Sequence, residues 1–250
     1  MIPSMKAEFR RLFTIRSTYI ITFISLVLTI FFCLWIEGYK GLSGSPAANL
    51  SPTALHEILA NGLGMGIGFA TIIAILFMAH EYRYNTIMYT LTASASRTKA
   101  LLAKLITMIT FTIGYGLLSV AVAFASYYVG LSLRDASLPA QDFNVLAELG
   151  RLVFYCAAYS LVGILLATAT RSVVFAIATI FVFPTAIEPL LGLLLKENAK
   201  YLPFTTLDST IGAAMAQNTL SSGTAMIVST GYLAVALVVT WILFVKRDAN

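Results

Sequence analysis

Long apolar runs separated by short polar segments set the pattern of this chain. The runs cover about 18–36, 59–79, 101–131, 152–169, 173–195 and 225–245. A helix rises 1.5 Å per residue, so the first run reaches roughly 28 Å, near the thickness of the bilayer hydrocarbon. Six transmembrane helices are therefore expected. The run over 101–131 is longer than a bilayer requires, which predicts tilt or projection beyond the hydrocarbon. Thr170-Arg171-Ser172 leaves only a tight turn between the fourth and fifth runs, and Pro184 and Pro189 interrupt the fifth.

The polar segments carry their own periodicities. Met5, Phe9, Leu12 and Phe13 recur at helical spacing, accompanied by Lys6, Arg10, Arg11 and Arg16. This predicts an amphipathic helix over 1–17 that lies in the membrane interface. The segment resembles the basic start of a signal peptide, but the run that follows is too long for one and is expected to stay as a membrane helix. Residues 38–52 read as a Gly/Ser/Pro-rich loop. Between the second and third runs, Tyr84, Ile87, Met88 and Leu91 form one apolar stripe at three- and four-residue spacing. A short amphipathic helix is expected there, with Ser94 or Ser96 capping the next one. Residues 204–215 are apolar enough for a short re-entrant or interfacial helix after the fifth span.

Composition agrees with this pattern. The chain has 250 residues, 59% hydrophobic and 11% charged, with a mean hydropathy of +0.87. Soluble domains carry about 25% charged residues, so the reading is an all-α polytopic membrane protein forming one domain, 1–250. With the N-terminus inside, the inner segments hold eleven of the sixteen Lys and Arg residues and the outer ones five. That split predicts both termini in the cytoplasm and a place in the cell membrane. It also explains the net charge of +5 without a nucleic-acid partner. Cys33 and Cys156 lie within apolar runs, where packing roles are expected and a disulfide is not.

Catalytic constellations are sparse. His80-Glu81 begins like a metalloprotease HExxH, but Tyr84 takes the place of the second histidine. The stretch from Gly41 to Ser45 lacks the last glycine of a G-x-S-x-G elbow. No P-loop and no metal-ligand spacing occurs. No catalytic, cofactor or metal site is expected in the chain. Gly62 and Gly66, and Gly64 and Gly68, stand four apart, a spacing that lets another helix approach closely. Glu188 sits between Pro184 and Pro189. A carboxylate at mid-bilayer costs roughly 2.5–3.5 kcal/mol. Glu188 is read as an outer-interface carboxylate that bonds backbone groups freed at a helix break, with an outer gate as the alternative. Arg97 and Lys99 occupy a helix N-terminus, where cations oppose the dipole. Anionic headgroups or an acidic protein surface would each offset that cost.

Glu81, Thr86-Ile87, Ser96-Arg97, Leu102 and Lys104 resemble the E-x-x-x-G-T … S-R-x-x-x-L-x-x-K signature of ABC-2-type ABC transporter permeases. Asn85 stands at the glycine position of that signature, and Ala95 where a proline often precedes the Ser-Arg pair. The resemblance extends to the N-terminal amphipathic helix, the six spans and the short segment after the fifth. It implies the membrane subunit of an ABC exporter, which translocates an amphipathic substrate. A separate nucleotide-binding subunit would bind ATP and Mg, and a second permease copy or related chain would complete the assembly in membrane lipid. It also implies a cytoplasmic coupling helix over 81–93, with Glu81, Arg83, Tyr84, Thr86, Ile87, Leu91, Ser96, Arg97 and Lys104 at the ATPase interface. The alternatives are a secondary transporter, which needs ionisable groups at the midplane that the spans do not offer, and a non-transporting immunity or assembly factor.

Overall fold

The computed structural model describes residues 2–40, 52–92, 96–133, 144–212 and 219–246, with positions 2, 36–40, 52–66, 91 and 145 described in backbone only. These residues are helical throughout and contain no strand. Helix α1 (Ile2–Thr14) is followed by α2 (Arg16–Ile30), which continues in wider π-type turns over Phe31–Lys40. Next come α3 (Pro52–Arg83), the short α4 (Ile87–Thr92), the 36-residue α5 (Arg97–Ser132) and α6 (Val145–Thr170). The chain ends with α7 (Val173–Val182), α8 (Glu188–Leu195), α9 (Pro203–Thr210) and α10 (Ser222–Lys246). Among the described residues, five stretches are long and apolar enough to cross a membrane: Arg16–Trp35, Arg97–Ser132, Leu146–Thr170, Val173–Tyr201 and Ser222–Lys246. The protein is an all-helical membrane protein on that ground. The remaining expected span falls within α3, whose first half is described in backbone only.

Local chemistry accounts for the breaks. Ile15 is extended (φ −78°, ψ 118°) and separates α1 from α2, so the N-terminal amphipathic helix ends at Thr14 and the first candidate span starts two residues earlier than the apolar run suggests. Arg171 adopts a left-handed conformation (φ 55°) at the end of α6, and the Ser172 hydroxyl accepts the Phe175 N–H at 3.3 Å to start α7. That is the tight turn expected at this place. Pro184 lacks an N–H, and the chain absorbs the missing bond in a π-type turn over Phe183–Ile187 before α8 resumes.

The loop between α3 and α5 departs from expectation. Glu81 is not in the short helix; it belongs to the last turn of α3, and Tyr84 to Thr86 form a turn. Asn85 takes φ 54° there, a conformation that asparagine visits more readily than most side chains. The short helix is thus Ile87–Thr92, not 81–93. Its expected apolar stripe does not form one buried face: Ile87 is buried, whereas Tyr84 is 64% exposed and Met88 is exposed. Leu91 and Ala95 lie outside the residues whose side chains are described. Of the two candidate caps, Ser96 serves, its hydroxyl accepting the Lys99 N–H at 3.3 Å; Ser94 is outside the described residues.

Helix α6 sits at the centre, packed against α3, α5, α7, α9 and α10. Its closest approach is to α3, where a Cβ placed on Gly163 would come within 2.8 Å of Thr71 Cγ2 and 3.3 Å of the Thr71 carbonyl oxygen. Gly163 is thus a glycine required by packing. Gly62, Gly64 and Gly66 lie where only the backbone of α3 is described, and a Cβ on Gly68 would make ordinary 3.5 Å contact with Phe181 of α7. Cys33 and Cys156 are both buried, and neither is in a disulfide among the described residues. The outward faces of α7, α8 and α10 carry exposed Val174, Leu193, Leu194 and Ile227, which suits contact with lipid tails.

Overfilling the α3–α6 contact should cost about 1–3 kcal/mol. Gly163→Ala is expected to lower the melting temperature in detergent, whereas Gly231→Ala, with nothing within 4 Å of the added methyl, should leave it unchanged.

Candidate functional site

Helix α1 turns Glu8 and Leu12, one helical turn apart, into the protein, and both are buried. Its Arg11 projects toward the end of α3. There Glu81 sits in the last turn, and Lys104 faces it from the second turn of α5. Lys104 is 0% exposed and Glu81 1%. The Lys104 ammonium donates to Glu8 Oε1 at 2.6 Å and to Glu81 Oε1. The Arg11 guanidinium pairs with that same Glu81 oxygen and with Glu8 Oε2 at 3.4 Å, and it donates to the Phe77 carbonyl at 2.7 Å. The Phe77 ring lies under both cations, 4.9 Å from the guanidinium carbon and 5.6 Å from the ammonium. Two carboxylates and two cations balance, so the cluster is neutral overall. Burial lowers the Arg11 pKa and Glu8 opposes that shift; a guanidinium stays charged regardless.

Such a cluster is costly to assemble, since each buried ion gives up several kcal/mol of hydration. Its effect is positional. It joins three segments far apart in sequence: α1, the C-terminal end of α3, and the start of α5. The loop carrying α4 springs from the last two. The other expected loop residues distribute around this anchor. Arg83, Tyr84 and Thr86 are exposed, with the Arg83 guanidinium 5.8 Å from the Tyr84 ring. Ser96 is exposed at its cap. Arg97 is half-buried and donates to the Val245 carbonyl at 3.2 Å, near the end of α10. A cation there favours the negative end of the α10 dipole, which offsets its unfavourable place at the start of α5. Trp241 of α10 adds a bond to the Thr98 hydroxyl at 3.3 Å. The set expected at the ATPase interface therefore divides: Arg83, Tyr84, Thr86 and Ser96 reach the surface, whereas Glu81, Lys104 and Ile87 are interior.

Sequence reading missed Glu8, Arg11 and Phe77 as members of the cluster. The signal was present in Glu8, the single acid in a basic amphipathic segment, one turn before Leu12 and so on its apolar face.

A second polar constellation lies around α9. Glu188 Oε1 accepts the Phe204 N–H at 2.7 Å, and Oε2 accepts the Thr205 N–H at 2.6 Å and the Thr205 hydroxyl at 2.7 Å. Pro203 occupies the first helical position and has no N–H to satisfy, so the carboxylate takes the next two orphan donors. Glu188 thus bonds backbone N–H groups at the start of α9, 16 and 17 residues further on, and not groups freed at the Pro184–Pro189 break beside it. Toward the other end of α9, Asp208 Oδ1 accepts the hydroxyls of Tyr155 and Tyr159 of α6, at 2.7 and 3.1 Å. Among the described residues no group of three or more His, Cys, Asp or Glu is placed to hold a metal ion.

Removing one member of the inner cluster should cost more than removing a neutral pair. Lys104→Ala strands two buried carboxylates and is expected to lower stability by about 3–5 kcal/mol, whereas Lys104→Met combined with Glu81→Gln should recover most of that loss. A double-mutant cycle on thermal unfolding in detergent measures both. No curated protein matches the chain. Residues 12–249 match the family of proteins of unknown function DUF2705, and the chain belongs to that family.

Proposed function

We propose that the chain is the membrane subunit of an ATP-driven exporter of the ABC-2 permease type, working with a separate nucleotide-binding subunit. One observation carries the reading: an exposed aromatic and basic loop stands on helix ends that a buried ion cluster ties to α1. Tyr89 is 78% exposed on α4, beside exposed Met88, with Tyr84 and Arg83 in the adjoining turn. Such a surface suits a partner protein, where aromatic and arginine side chains dominate binding. A push on it would be delivered to α1, α3 and α5 together instead of being lost in loop flexibility.

The residues that carry the resemblance support the reading through the work they do. Glu81 and Lys104 form the centre of the cluster, Thr86-Ile87 begin α4, Ser96 caps α5, and Arg97 ties α5 to α10. In the proposed arrangement α3 supplies the sixth span, α1 lies in the cytoplasmic interface, both termini are cytoplasmic, and α9 is a short segment at the outer face. Two copies or two related chains enclose the path of an amphipathic substrate, with Gly62, Gly64 and Gly66 as candidate close-packing positions.

Reconstitution with the candidate ATPase subunit tests this. Tyr84→Ala combined with Tyr89→Ala should reduce co-purification of the ATPase at least tenfold while leaving the melting temperature unchanged. Lys104→Met combined with Glu81→Gln should keep co-purification and lower substrate-stimulated ATP hydrolysis. Transport driven by an ion gradient without any ATPase would exclude the proposal.

A further inference from the structure

Helix α9 has eight residues, too few to persist alone in water. Its apolar face buries Phe204 and Leu207, and Ile211 just past its end is buried with them. The Phe204 ring packs at 5.6 Å from Tyr159 and 5.7 Å from Phe183. Two carboxylates complete the attachment, and they differ in kind. Glu188 receives two backbone N–H groups and a hydroxyl, shared over both oxygens, at the positive end of a helix. Asp208 receives only two neutral phenols, both on one oxygen, with no cation paired to it among the described residues.

We propose that α9 is a proton-responsive latch: protonation of Asp208 tightens its seat on Tyr155 and Tyr159 of α6, and ionisation loosens it.

The surroundings supply the reason. On α6 the facing groups are the two phenols. From α8 comes the negative charge of Glu188. Helix α10 contributes Tyr232, whose hydroxyl is committed to the Tyr201 carbonyl at 2.5 Å, and its other titratable group, Lys246, is its last residue. The 3-10 turn Lys196–Tyr201 before α9 holds Lys196, Glu197, Lys200 and Tyr201, with the Lys200 ammonium 5.4 Å from the Tyr201 ring. Burial is the largest influence on Asp208. The two phenol bonds oppose it, Glu188 reinforces it, and the pKa is pushed up from 3.8 to about 6. A pKa raised in the seated state means that seating is favoured as pH falls through about 6, reaches its full extent below the unseated value, and is lost as pH rises. A protonated carboxyl keeps an oxygen for the phenols and no longer sets a second negative charge in the field of Glu188. From these two values, seating strengthens about tenfold between pH 7.5 and pH 5. Nothing in this depends on the proposed exporter role.

Amide hydrogen exchange of the full chain in lipid nanodiscs tests the latch, with protection factors dividing out the intrinsic pH dependence of exchange. Protection of amides 206–211 should rise about tenfold from pH 7.5 to 5, against a flat reference in the middle of α6. Asp208→Asn should remove the rise and hold α9 protected at every pH. Glu188→Gln should lower protection at every pH and leave a rise in place, its midpoint moved down. Flat protection in the wild type, a slope that survives Asp208→Asn, or a slope abolished by Glu188→Gln would overturn the proposal.

Discussion

Three buried charges, Glu8, Glu81 and Lys104, joined by the half-buried Arg11 at the junction of α1, α3 and α5, constrain this molecule more than any other feature. Apolar helices in a membrane gain little from one another's hydrophobicity, because lipid tails offer similar contact. Their mutual placement must come from close packing and from polar groups that have no other partner. Lys104 is fully enclosed and shared between Glu8 and Glu81; Arg11 closes the ring. No member can leave without stranding an opposite charge, so the three segments hold one register. Gly163 against Thr71 does for the centre of the bundle, by shape, what the cluster does for one end of it by charge.

The same logic operates at the other polar constellation with a different outcome. Glu188 is satisfied by fixed backbone donors and serves as a permanent helix cap. Asp208 relies on two phenols and shares its neighbourhood with a like charge, which leaves it sensitive to protons at a physiological level. One end of α9 is thereby anchored and the other conditional. The bundle combines fixed joints, built from paired charges and backbone donors, with one joint whose strength depends on the medium.

Much of the architecture was legible in the sequence because the bilayer imposes length and polarity together. Helix breaks at Arg171 and Pro184 followed from a two-residue turn and a missing donor, but the partners of Glu188 did not, because they stand at the start of α9 and not at the break beside it. The extent of the short loop helix was not legible. Periodicity over Tyr84 to Leu91 looks continuous, but Asn85 turns the backbone left-handed between Glu81 and Ile87, and no stripe records that. The ion cluster was half legible. Glu81 and Lys104 stood out as charges beside apolar runs, while Glu8 and Arg11 were absorbed into a basic amphipathic pattern whose partners lie 66 and more residues away. Tyr155, Tyr159 and Asp208 gave no signal, since tyrosines one turn apart in a membrane helix are ordinary until the acid that they meet is placed.

The exposed loop on its charged foundation is where the functional account is most open to test. Photo-crosslinking from a probe at Tyr89 in native membranes, followed by identification of the captured protein, addresses it directly. The account predicts capture of a nucleotide-binding subunit, lost when the probe is moved to lipid-facing Ile227. Capture of lipid alone, or of a protein without a nucleotide-binding fold, would contradict it.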